Sequence, residues 1–265
     1  MKKILFIATF LILFINFKIA YAADKLTSFF AGSTAHCFIL YDINNSELVQ
    51  KEDDGHCDKQ LSPAVNFLLP LSLIAFDSKN IINNEQQFKW DGQIYENKLW
   101  QQDQTPFSWV KNNVNWVSEF IVNKIGAKNI EDYLIKLKYG NNDLSSGLTK
   151  FWLNGGSLKI SANQQFHFIK NFSSYKLPVS KESIDNTKKL FIYEANNGWQ
   201  IIGKAGAGTD GDNKYGWFIG EVSNGKEKYV FVSNIIGTKE YFSNECPGCK
   251  TREITKNILT SLKLF

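Results

Sequence analysis

The chain has 265 residues, 43% hydrophobic and 14% aromatic. That is enough apolar material for one large core or two abutting ones, and it excludes a disordered chain. The formal charge of +4 comes from lysines interleaved with Asp and Glu rather than gathered in a stripe, so no nucleic-acid partner is expected.

Residues 1–22 carry Lys2 and Lys3, an apolar run over 4–17, and Ala20-Tyr21-Ala22, the small-x-small pattern that a signal peptidase requires. The reading is a cleaved signal peptide, giving an exported chain, periplasmic or secreted. The run is shorter than the ~20 residues that span a bilayer, so no stable membrane anchor is expected after cleavage. Removing Lys2, Lys3 and Lys18 lowers the formal charge from +4 to +1.

Residues 38–42, the turn at Asn44-Asn45 and residues 47–50 read as strand, turn and strand. Cys37 opens the first run and Cys57 follows the second, so in an oxidising compartment a disulfide between them is the favoured pairing. Residues 64–76 are apolar except for Asn66 and Ser72, follow Ser62-Pro63 and lack glycine, which predicts a buried helix. Between about 80 and 190, residues 114–125, 130–137 and 163–172 show helical spacing broken by Gly and Asn clusters. From Trp199 the pattern changes to strands over 199–204, 215–221 and 229–235, separated by Asp210-Gly211 and Asn224-Gly225. An amphipathic helix over 252–264 closes the chain. Cys246-Pro-Gly-Cys249 precedes it, where a thiol can be acidified by a helix N-terminus; a redox pair, a short-loop staple and free thiols all remain open. His36, His56 and His167 show no paired ligand spacing, so neither a metal nor a cofactor is expected.

This order of elements implies an α+β fold. An antiparallel sheet is built from both ends of the chain and flanked by terminal helices, with an all-α subdomain inserted. The expected boundaries are residues 23–78 and 190–265 for the sheet subdomain and 79–189 for the helical one, in a single domain over 23–265.

The stretch Ser62-Pro63-Ala64-Val65-Asn66-Phe67-Leu68-Leu69-Pro70-Leu71-Ser72-Leu73 resembles the region around the active serine of class D β-lactamases, the oxacillinase group of the penicillin-binding fold. There a Ser-x-x-Lys places serine and lysine one helical turn apart, and the lysine, carboxylated on its amine, serves as general base. The matching positions are Val65 and Leu68. Phe88-Lys89-Trp90-Asp91-Gly92, Tyr139-Gly140-Asn141, Phe151-Trp152-Leu153, Ser157-Leu158-Lys159-Ile160-Ser161 and Tyr215-Gly216-Trp217-Phe218 follow collinearly, so the resemblance spans about residues 35–264. Two further motifs are altered: Ser-x-Val falls on Asn113-Val114-Asn115, and Lys-Thr-Gly on Lys204-Ala205-Gly206.

The resemblance implies a β-lactamase/transpeptidase-like fold whose catalytic positions Val65, Leu68, Asn113 and Ala205 are degenerate. It also implies substrate-binding positions at Lys204, Gly206, Ala207, Arg252 and Trp152, the last of these being the tryptophan that steadies the carboxylated lysine. The oxyanion hole would use the backbone amides of Val65 and Ala207. Arg252, the only arginine, falls where the family pairs a guanidinium with the β-lactam carboxylate, and a structural partner among Asp and Glu is the other reading. The function implied is that of a catalytically impaired homologue, with a β-lactam or a peptidoglycan fragment as candidate ligand. The alternatives are residual or relocated serine-hydrolase activity and an interaction module whose protein partner the sequence does not name. For relocated activity, Ser-x-x-Lys also occurs at Ser108 to Lys111, Ser173 to Lys176 and Ser223 to Lys226, matches expected by chance in a chain this rich in both residues, while Ser62 has no basic partner.

Overall fold

Alternation along β1 (Ala35–Asp42) sends Phe38 and Leu40 to one face and Cys37 and Ile39 to the other, and all four are buried. A strand covered on both sides needs a layer on each face, and the two buried clusters supply them. Phe38 and Leu40 join Ile258 and Leu259, whereas Cys37 and Ile39 join the helical part of the chain. The computed structural model describes residues 26–243 and 245–265, so the signal-peptide expectation lies outside the described residues.

The sheet contains β1, β2 (Glu47–Asp53), β3 (Ile192–Asn196), β4 (Trp199–Asp210), β5 (Asn213–Ser223) and β6 (Lys228–Gly237). Their order is β2-β1-β6-β5-β4-β3, and every pairing is antiparallel. Strands from the two ends of the chain therefore meet at β1 and β6, as the α+β reading requires. The expected Cys37–Cys57 disulfide is formed, with both sulfurs in the core.

The buried segment is a 3-10 turn, Ala64–Phe67, running into α1 (Leu68–Asp77). The middle of the chain gives α2 (Pro106–Asn112), α3 (Asn115–Ile125), α4 (Ala127–Leu137), α5 (Ala162–Ser173) and α6 (Lys181–Leu190). The short α7 (Lys239–Phe242) and the longer α8 (Pro247–Ser261) follow the last strand.

Three features differ from the sequence reading. The strand β3 is a mostly exposed edge strand without a buried alternating set, so it has no two-residue hydrophobic signal. The helices α2 and α6 are short and start on side-chain caps, Thr105 and Ser180, rather than on an apolar stripe. The final helix begins at Pro247 instead of Arg252, because Cys246 is its N-cap and Pro247 occupies the first helical position, where a missing N–H costs nothing. No helix among the described residues is long and apolar enough to cross a membrane.

Candidate functional site

The turn before α1 is held in an unusual backbone state. Ala64 has φ +49°, a left-handed conformation that costs a non-glycine residue about 1 kcal/mol or more. Contacts from two layers hold it there. The Tyr215 hydroxyl and the Trp217 indole N–H donate to the Ser62 carbonyl at 3.0 and 3.2 Å. The Ser62 hydroxyl, itself buried, donates to the Leu153 carbonyl at 2.7 Å. The consequence is that Val65 is presented to a cleft while Leu68 turns into the core at 3% exposure.

That cleft has a volume of about 620 Å³ and lies between the turn, the α2–α3 junction, β4 and the start of α8. It brings together Val65, Asn113, Lys204, Ala205, Gly206, Ala207 and Arg252, residues from four separate stretches of sequence. Gly206 is where β4 passes over the turn: a Cβ added there would lie 2.3 Å from the Asn66 carboxamide oxygen and 3.3 Å from a Val65 methyl. Asn66 is fully buried, and its side-chain carboxamide has no hydrogen-bond partner among the described residues.

Asn113 ends α2 with φ +53°, a left-handed position that asparagine tolerates better than most residues. The Lys204 ammonium donates to the Val110 carbonyl at 2.6 Å, tying β4 to α2 across the cleft. Arg252 donates from Nε to Glu253 at 3.2 Å and stacks on the Tyr193 ring at 5.3 Å while facing the cleft. Both readings of this arginine therefore have a basis: it has an acidic neighbour, and it lines the site.

Burial without a counter-charge pulls the Lys204 ammonium down to about 8. The folded value lies below the unfolded one, so the cost of burying the charged form is fully present below about pH 8. It is relieved as pH climbs from there toward the ordinary 10.5. Global stability is thus expected to gain a component across that interval, and Lys204→Met should remove it. Urea unfolding of both proteins over the interval checks this; parallel stability curves would mean the amine is fully solvated.

Leu68 and Trp152 are not on the cleft surface. Trp152, 1% exposed, stacks on Phe67 with ring centroids 5.4 Å apart, and both it and Leu68 belong to the same buried cluster as Val114, against which Leu153 packs. Tyr139-Gly140-Asn141 is also away from the cleft. Tyr139 is fully buried, and Asn141 clamps a neighbouring loop by donating to the Ser157 carbonyl and accepting from the Lys159 N–H. Ser62, Ser108, Ser173 and Ser223 are absent from the residues that line the cleft. Ser108 is engaged in the Thr105 capping box, its hydroxyl donating to Gln104 at 2.7 Å. No group of three or more His, Cys, Asp or Glu placed to hold a metal occurs among the described residues.

Sequence reasoning missed Phe107, Lys111 and Tyr193 as lining residues, and it left open the state of Cys246 and Cys249, which form a disulfide on the cleft. The capping pattern at Thr105-Pro106 is the one local signal that marked the neighbourhood of the first two; the others depend on how the strands and α8 pack.

Comparison with known proteins gives a consistent family. Residues 37–260 match the model of the penicillin binding protein transpeptidase domain. The chain is 35% identical over 241 residues to β-lactamase OXA-1 of Escherichia coli, covering 87% of this chain and 86% of that protein. It is 27% identical to the methicillin resistance mecR1 protein of Staphylococcus aureus, covering 91% of this chain but only 40% of that longer protein. Among solved structures, the C-terminal domain of the Bacillus licheniformis BlaR penicillin-receptor superposes with a TM-score of 0.81 at 27% identity, covering 91% of this chain and 95% of that domain.

Proposed function

Because the chain belongs to the class D β-lactamase family of the penicillin-binding fold, we propose that it is an exported, non-hydrolytic member that binds a β-lactam or a peptidoglycan fragment. The carrying observation is the composition of the cleft. Val65 stands at the position where the resemblance puts the acylated serine, and no serine or threonine side chain lines the cleft among the described residues. An aliphatic side chain cannot form an acyl-enzyme, and Leu68 supplies no base to activate one. Binding groups persist beside it. Lys204 and Arg252 are charged donors for an anionic ligand, and the backbone at Val65 and Ala207 borders the cleft where an oxyanion hole would form. The likeness to a penicillin-receptor domain supports a β-lactam-binding role.

Intact-mass spectrometry after incubation with benzylpenicillin, together with a nitrocefin assay, is expected to show an unchanged mass and no turnover above buffer. A stoichiometric adduct would overturn the reading in favour of residual or relocated serine-hydrolase activity. Calorimetric titration with benzylpenicillin and with a soluble muropeptide should then show saturable binding, weakened roughly tenfold or more by Lys204→Ala and by Arg252→Ala, since a charged hydrogen bond is worth about 1.5–3 kcal/mol. Absence of binding to both probes would leave only the interaction-module alternative.

A further inference from the structure

The two disulfides differ in the properties that govern thiol exchange. Cys37 and Cys57 are both 0% exposed, so no incoming thiolate can reach either sulfur in the folded protein. Cys246 and Cys249 are three residues apart at the surface; Cys246 is exposed, Cys249 half-buried, and both line the cleft.

Their surroundings favour a thiolate on one of them. Cys246 is the N-cap of the 15-residue α8, and its Sγ accepts the Cys249 N–H at 3.0 Å. That amide and the positive end of the helix stabilise negative charge on Cys246 Sγ. The turn is closed on its inner side, because a Cβ at Gly248 would lie 2.6 Å from the Gly206 carbonyl oxygen. Of the two, Cys246 is the more exposed residue and therefore the one an incoming thiolate reaches first. Lys204 and Arg252 line the same cavity and add positive potential for an approaching thiolate.

We propose that Cys246–Cys249 is a thiol–disulfide exchange site opening on the cleft, with Cys246 as the attacked sulfur and a dithiol as its co-reactant. One thiolate of the dithiol attacks Cys246 Sγ. The new S–S bond forms as the Cys246–Cys249 bond breaks, and the electron pair leaves on Cys249 Sγ, which takes up a proton. The second thiol of the co-reactant, deprotonated, then attacks its own sulfur in the mixed disulfide and expels Cys246 as the stabilised thiolate. The dithiol loses two electrons and becomes a disulfide, and the protein pair gains them. Run backwards, the same steps reoxidise the protein.

The test uses the full mature protein without denaturant. Brief treatment with dithiothreitol followed by alkylation and peptide mapping is expected to label Cys246 and Cys249 and leave Cys37–Cys57 intact. Retention of both disulfides, or opening of the two at similar rates, overturns the proposal. Single-cysteine variants then assign the attacked sulfur. With glutathione disulfide as probe, Cys246 in Cys249→Ala should form a mixed disulfide about tenfold faster or more than Cys249 in Cys246→Ala, reflecting its exposure and thiolate character. Equal rates, or a faster Cys249, would remove Cys246 from that role. The experiment does not depend on whether the cleft binds a β-lactam.

Discussion

Leu68→Lys is expected to lower the melting temperature by roughly 6–12 °C, corresponding to about 3 kcal/mol for a chain of this size. Leu68 is 3% exposed within a cluster that includes Val114 and Trp152. An ammonium placed there either loses its hydration or gives up its proton, and both outcomes cost several kcal/mol. If Leu68 stands where the proposed function puts the family's lysine, the leucine fills that volume without the cost of a buried ammonium, in keeping with the stability gained when a functional group is lost. Differential scanning calorimetry of the single variant measures the effect, and an unchanged transition would mean that the position is wet. Val65→Ser with Leu68→Lys tests the same pocket functionally. The pair should recover slow acylation that neither single change gives, because nucleophile and base act as a unit.

Lys188→Met is expected to destabilise the fold by about 3–5 kcal/mol, the usual consequence of stranding one member of a buried ion pair. Lys188 on α6 holds Glu221 on β5 with both carboxylate oxygens, at 2.9 and 3.2 Å, and the side chains are only 10% and 5% exposed. Burial draws the lysine's pKa down and Glu221 partly restores it, so the charges depend on each other. Replacing both, Lys188→Met with Glu221→Leu, should recover most of the loss, since an apolar pair of similar volume avoids desolvation altogether. Chemical denaturation of the two singles and the double completes the cycle; losses below about 1 kcal/mol in the singles would show that solvent reaches the pair. The contact also fastens α6 to the sheet just before Leu190, Phe191 and Ile192, which line the cleft, so its loss should be felt there too.

Much of this protein was legible in the sequence alone, and the reason is physical. The apolar strand-like runs over 38–42 and 229–235, bounded by turn signals, and the glycine-free apolar run over 64–76 mark segments that must be buried, and burial is what the sheet and α1 satisfy. The family, too, could be read from motifs that follow one another collinearly, and the residue-37–260 match to the transpeptidase domain agrees with it. Tertiary structure decided what periodicity does not encode. The edge strand β3 is defined by its partner β4, not by an apolar pattern of its own. Lys188 and Glu221 find each other across 33 residues, and Lys204 reaches the Val110 carbonyl across 94. Such pairings leave no local trace, because a lone charge in a helix or strand looks the same in sequence whether it meets water or a distant partner. The same holds for Cys246 and Cys249: their spacing allowed several states, and the cleft in which they lie exists only once β4, α2 and α8 have packed.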